Sequence, residues 1–182
     1  MLPTRWTSAP PPAIAARPLR RPGSLTARLA RSGPVSVDVL FSGWQAADLA
    51  DARALHLPRA GLRIYVRIVL VRRSLQPAVL ARSITTLAGR QGAWRPIHQL
   101  GRQPLATLLW GSPGIRRGPF EYARLRGGDR LVRMAGAATG LPARRSCFWQ
   151  SGQPLVVQEA FLGLPWPSVS WQCPRRDWRA AF

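Results

Sequence analysis

An α+β fold built on one antiparallel sheet is the prediction for this chain of 182 residues. Three observations lead there. Several segments are rich in β-branched residues and alternate with the two-residue period of a strand. Most of them are joined by links of hairpin length. Helical patterns are few and short. The length suits one domain, and a hydrophobic share of 46% is enough to bury a core.

In chain order, residues 24–31 predict a helix, with Ser24 as N-cap, Leu25 and Leu29 on one face, and Gly33 beyond the end. Residues 35–41 alternate apolar and small or polar side chains and predict a strand. Residues 46–55 fit a short helix. Residues 62–71 predict a longer strand, whose even positions from Leu62 to Leu70 are all apolar. Its odd positions carry Arg63, Tyr65, Arg67, Val69 and Val71. Residues 72–76 form a hairpin link to a strand over 77–86. Residues 97–100 suggest a turn of helix. Residues 104–110 predict a helix, because Pro104 suits its first position and Gly111 follows its end. Residues 118–126 read as a shorter strand. Strands over 144–150 and 154–162 flank the hairpin turn Ser151-Gly152-Gln153. The expectation is a single six-stranded antiparallel sheet with helices on one side. Gly127-Gly128-Asp129 reads as a turn, and Arg116-Arg117 and Arg144-Arg145 read as solvated pairs.

The formal net charge is +20, with 27 basic residues against 7 acids. Such a balance suggests a nucleic-acid binder. All the basic residues are Arg, however, and the chain has no Lys and no Asn. A genome rich in G and C explains that substitution. No basic recognition helix appears, and the aromatic residues do not follow the pattern of an RNA-binding sheet. The charge therefore names no partner.

Cys147 and Cys173 are far apart and lack metal-ligand spacing, as do His56 and His98. No apolar run approaches the roughly 18 residues of a membrane helix. Phosphate-loop, dinucleotide-binding and Gly-x-Ser-x-Gly motifs are all missing. Residues 1–22 are rich in Arg and Pro, contain no acid, and read as a loose or partly ordered arm. Residues 166–182, rich in Trp and Arg, form a tail that either packs on the sheet or meets a membrane surface. A bacterial cytoplasmic location is the expectation.

Polar residues inside apolar strands are the informative signal. Glu159 lies in a row with Leu155, Val157 and Phe161, and is one of only two Glu in the chain. A carboxylate there is either ion-paired with an Arg or used in chemistry. Arg67 sits mid-strand, either on an exposed sheet face or in a site. Arg82, between Leu80 and Ile84, either makes a salt bridge or binds an anion.

A set of ordered segments resembles the chorismate lyase (chorismate pyruvate-lyase) family. They are Gly23-Ser-Leu-Thr-Ala-Arg-Leu29 followed by Val35-Ser-Val37, then Ile64-Tyr-Val-Arg-Ile-Val-Leu70, Leu80-Ala-Arg-Ser-Ile84, Leu100-Gly-Arg-Gln-Pro-Leu-Ala106, Ala143-Arg-Arg-Ser146 and Gly152-Gln-Pro-Leu-Val-Val-Gln-Glu-Ala-Phe-Leu162. Together they span about residues 23–165, the expected catalytic domain. Ala106 stands where the family more often has Gly. The resemblance implies two helix-turn-helix flaps, near 24–33 and 97–110, closing over a buried site. It implies removal of pyruvate from chorismate to give 4-hydroxybenzoate, the first committed step of ubiquinone biosynthesis, with no metal or other cofactor. Arg67 would bind the ring carboxylate with backbone N–H groups of Leu25 and Leu105, and Glu159 would face the 4-hydroxyl. Arg82 would lie near the enolpyruvyl carboxylate or a neighbouring pocket. Product inhibition, a monomeric state and at most peripheral membrane contact are further expectations. The alternative is a non-catalytic sensor, since the same fold serves as the effector-binding domain of bacterial transcription regulators.

Overall fold

The structure, a computed structural model, describes residues 4–9, 23–137 and 140–162. The expected tail, Cys173 and most of the expected arm lie outside the described residues. The elements run α1 (Leu25–Ala30), β1 (Val35–Ala46), α2 (Leu49–Ala54), β2 (Arg63–Arg73), β3 (Gln76–Thr86), α3 (Leu87–Gln91), a 3-10 turn (Arg95–Gln99), α4 (Ala106–Gly111), β4 (Arg116–Arg117), β5 (Glu121–Arg124), α5 (Arg130–Met134), β6 (Pro142–Gln150) and β7 (Gln153–Phe161).

All strand pairings are antiparallel, in the order β1-β2-β3-β7-β6-β4, with β5 also paired to β6. The sheet thus has seven strands rather than the expected six. The difference lies at one edge, where β4 meets β6 at Phe148 and Trp149 and β5 meets it from Pro142 to Arg145. Two short strands share one lane where one was expected, over 118–126. Thr7 exchanges two backbone hydrogen bonds with Tyr122, so residues 4–9 dock on the free side of β5.

Helices cover both faces of the sheet, not one. Ile64, Val66, Ile68 and Leu70 of β2 pack with Leu80, Val156 and Ala160 under α2 and α5. The opposite face carries α1 at one end, through Leu25 and Leu29 against Val69, Val71 and Val79. At its other end α3, the 3-10 turn and α4 bring Trp94, Ile97, Leu100 and Leu109 against Tyr65, Phe148 and Leu155. The reason lies in β2 itself, buried at every position from Ile64 to Val71. A strand apolar on both faces needs a cover on each. The odd face, which the sequence left as either exposed or part of a site, is roofed.

Two helices went unread in the sequence. Leu87–Gln91 continues directly from β3, capped by the Thr86 hydroxyl, which accepts from the Gly89 N–H. Arg130–Met134 is capped by Asp129, the residue read as a turn. The helix expected over 46–55 is present as α2, capped by Asp48.

Arg82 points to the α2 side and makes a bidentate pair with Asp51 in the first turn of α2, at 2.6 and 2.8 Å. Both side chains are about as buried as the core (7% and 6% exposed). The pair fastens α2 to the middle of the sheet. Removing one partner leaves a charge buried alone, which costs about 3–5 kcal/mol. Asp51→Ala is therefore expected to lose that much in urea unfolding, and Asp51→Leu combined with Arg82→Met to recover most of it.

Asp129 provides a pH test. Burial raises its carboxyl above the usual range, against the opposing pull of the Leu131 N–H and Arg82. A carboxyl raised on folding binds its proton more readily folded than unfolded. Its contribution is therefore fully present below the ordinary Asp value of about 3.9 and is lost as pH rises through the raised one. Asn keeps the capping oxygen without the charge. Asp129→Asn is expected to exceed the parent in stability at neutral pH, with the gap closing in acid, as read by thermal melts across pH.

Candidate active site

The cavity on the α1–α4 face follows from cross-strand register. Arg67 of β2, Ser83 of β3, Val157 of β7 and Ser146 of β6 lie side by side. The next row is Val69, Ala81, Glu159 and Arg144. Ala and Ser at the centre of these rows leave space above the sheet. The flanking rows are tall: Tyr65, Leu155 and Phe148 on one side, Val71, Val79 and Phe161 on the other. Helices α1 and α4 close the top, with Ser24, Leu25, Leu105, Ala106 and Leu109 facing inward.

Arg67 is 2% exposed, and its Nη2 donates to the carbonyls of Gly101 and Gln103, at 2.9 and 3.0 Å. Those carbonyls turn toward the sheet because Gly101 takes a left-handed backbone (φ +48°) and the Gln103 N–H closes a turn on Leu100. The Leu-Gly-Arg-Gln-Pro-Leu segment is thus the bracket that holds Arg67 under α4. Burial lowers the Arg67 pKa, partly offset by Tyr65. Its partners are neutral, so among the described residues its charge has no counter-charge in direct contact.

Glu159 forms an ion pair with the Nε of Arg144 directly across from it. Arg144 is 2% exposed, with its guanidinium 4.4 Å from the centre of the Phe120 ring. Arg117 stands beside it, 3.5 Å from the same ring and 5.5 Å from Phe148. The Arg117 Nε donates to the Ser146 hydroxyl at 2.9 Å. Burial, and then the charge of Arg144, push the Arg117 pKa down to about 10.

Of the residues singled out in the sequence, Arg67, Glu159, Leu25 and Leu105 line this one cavity. Arg82 does not. Its neighbours Ala81 and Ser83 face the cavity, so alternation turns Arg82 through the sheet to Asp51 and a second cavity of about 250 Å³. Two residues were missed. Arg117 and Arg144 were read as halves of solvated pairs, yet both line the site. The hairpin held the clue for Arg144. Gln150 pairs with Gln153, and six residues along each strand from there Arg144 meets Glu159. Nothing local marks Arg117, whose two-residue strand is too short for a pattern. His98 Nδ1 donates to the Arg95 carbonyl, on the surface. Cys147 faces the other side of the sheet, and burial pushes its thiol up to about 11.

The arrangement can hold a small anion between fixed positive charge and a carboxylate, with apolar walls between. A family model described as Chorismate lyase matches residues 3–169. A protein of Albidiferax ferrireducens named "Probable chorismate pyruvate-lyase" is 44% identical over 158 residues, which are 79% of this chain and 80% of that one. Relatives of the same name from Bordetella avium and, with the suffix 1, Burkholderia pseudomallei are 39% and 38% identical. They cover 84% and 88% of this chain and 78% and 91% of their own. Among solved structures, a GntR-family transcriptional regulator from Bacillus cereus superposes with a TM-score of 0.55 at 13% identity, over 73% of this chain and 94% of that one. The effector domain of PhnF from Mycobacterium smegmatis gives 0.52 at 14%, over 76% and 88%. These two share the fold. The family match extends over nearly the whole length and the relatives agree with it: this chain belongs to the chorismate lyase family.

Proposed function

We propose that the α1–α4 cavity removes pyruvate from chorismate to give 4-hydroxybenzoate. The observation that carries this reading is the placement of Arg67 and Glu159 around one apolar-walled space under α1 and α4. Chorismate bears a ring carboxylate, a 4-hydroxyl and an enolpyruvyl ether at C3. The C3–O bond breaks, the hydrogen at C4 leaves, and the ring becomes aromatic. The leaving enol gains a proton on carbon and becomes pyruvate. Aromatisation supplies the driving force, so positioning is the main task of the protein.

In this reading the Arg67 guanidinium binds the ring carboxylate with the N–H groups of Leu25 and Leu105, which lie at the unpaired starts of α1 and α4. Glu159 accepts a hydrogen bond from the 4-hydroxyl and orients the ring. Its pairing with Arg144 supports an acceptor role. Arg82 serves the fold through Asp51 rather than the substrate. The product feeds ubiquinone biosynthesis, and the protein works as a cytoplasmic monomer.

Size gives the reading a kinetic side. The cavity has a volume of about 80 Å³ and is partly open to solvent. For comparison, an apolar cavity of about 150 Å³ holds benzene. In this reading chorismate, larger than benzene, enters as the α1 and α4 segments part, and the product leaves by the same motion. Release then limits turnover, and 4-hydroxybenzoate inhibits.

Incubation with chorismate is expected to yield pyruvate and 4-hydroxybenzoate in equal amounts, read by coupled assay and by absorbance. Arg67→Ala should lower kcat/KM by about two to three orders of magnitude, the scale of a lost buried charge contact. Glu159→Gln should cost less than about a hundredfold in kcat. A loss of four orders would assign it an obligatory proton transfer instead. Tight 4-hydroxybenzoate binding without turnover would make the domain a sensor.

Pre-steady-state mixing should show a burst of 4-hydroxybenzoate followed by a slower steady rate. A linear trace from the first turnover would remove release as the limiting step.

A further inference from the structure

The cavity is lined by Arg67, Arg117 and Arg144 against the single carboxylate of Glu159, a surplus of two positive charges. Glu159 is taken by Arg144. Arg67 is held by backbone carbonyls. Arg117 has no carboxylate partner among the described residues, and its one side-chain hydrogen bond goes to a neutral hydroxyl. A half-buried guanidinium with no carboxylate in direct contact is costly, so a site that maintains one suits an anion.

The position of Arg117 is fixed before any ligand arrives. Its Nε is anchored to Ser146, and its plane lies against Phe120 with Phe148 on a further side. The anchor leaves the Nη groups as the recognising edge, the geometry that grips a carboxylate with two parallel hydrogen bonds. β4 places this group at the β6 side of the cavity, with β3, β7 and β6 between it and β2, which carries Arg67.

We propose that Arg117 is a substrate-binding residue that receives the second carboxylate of the dianion, the one on the enolpyruvyl group, while Arg67 receives the first. This rests on the chorismate reading above. It adds a consequence for selectivity. Substrate carries two carboxylates and satisfies both surplus charges. 4-Hydroxybenzoate carries one, and pyruvate takes the other away. Arg117 therefore favours substrate over the aromatic product, and each turnover leaves it without its anion.

The test compares chorismate and 4-hydroxybenzoate on the same variants. Arg117→Ala is expected to raise KM for chorismate by about 30-fold or more, while the inhibition constant of 4-hydroxybenzoate changes by less than about threefold. Pyruvate, added as a probe to protein saturated with 4-hydroxybenzoate, should bind the parent and not the variant. Equal weakening toward chorismate and 4-hydroxybenzoate, or an unchanged KM for chorismate, would overturn the proposal. If Arg117→Ala does not fold, Arg117→Lys carries the same comparison: retained charge without the fork should raise KM for chorismate by a smaller factor, again without moving 4-hydroxybenzoate. Absence of turnover in the parent protein would instead refute the chorismate reading itself.

Discussion

Removing a guanidinium from water costs several kcal/mol unless partners replace the water, and the middle of this sheet buries three of them. Arg67, Arg82 and Arg144 are each under 7% exposed. The protein solves each case differently. Arg82 receives a bidentate carboxylate and becomes a rivet between α2 and the sheet. Arg144 receives Glu159 and the faces of Phe120 and Phe161. Arg67 receives only two carbonyl oxygens, and Arg117 nearby only a hydroxyl and aromatic faces. Arg82 is neutralised away from the cavity, and Arg144 inside it. Arg67 and Arg117, which no carboxylate contacts among the described residues, are the two for which a charged guest is proposed.

The space for that guest comes from small side chains, not from a gap between domains. Ala81, Ser83 and Ser146 sit in the two central rows, while aromatic and branched residues fill the rows on each side. The cover is correspondingly split. Leu25 and Leu29 of α1 belong to one apolar cluster, and Leu105 and Leu109 around α4 belong to another. The site lies along the seam between these clusters.

Much of this was legible in the sequence where periodicity is strong. The alternation in β2 and β3, the Ser-Gly hairpin between β6 and β7, and the Ser24 cap of α1 each carry a local signal that the fold respects. What escaped depends on pairing between distant segments. Whether the odd face of β2 meets water cannot be read from β2, because Trp94 and Ile97 that cover it come some thirty residues later. Arg82 looked equivalent to Arg67 as a lone cation in an apolar strand. Only the register, with Arg67 opposite Ser83 and Ile68 opposite Arg82, puts the two on different faces. Arg117 and Arg144 were hidden by abundance. In a chain with 27 Arg, no single Arg-Arg pair stands out. Glu159 was visible for the opposite reason, since carboxylates are scarce.

The β2–β3–β7 ladder also governs which changes of length this chain can absorb. Both faces of these strands are committed, one to Arg67 and Glu159, the other to Arg82 and the main core. A single residue added within β3 would exchange Ser83 for Arg82 above the cavity and drive a cation into the roof, while stripping α2 of its rivet. Insertions and deletions are therefore confined to places where the pleat is not propagated. Ser74–Leu75 and Ser151–Gly152, at the tips of the two hairpins and already in left-handed backbone, are such places. Changes of length are thus expected at the hairpin tips and in the outer lane shared by β4 and β5, with the central strands open to substitution alone.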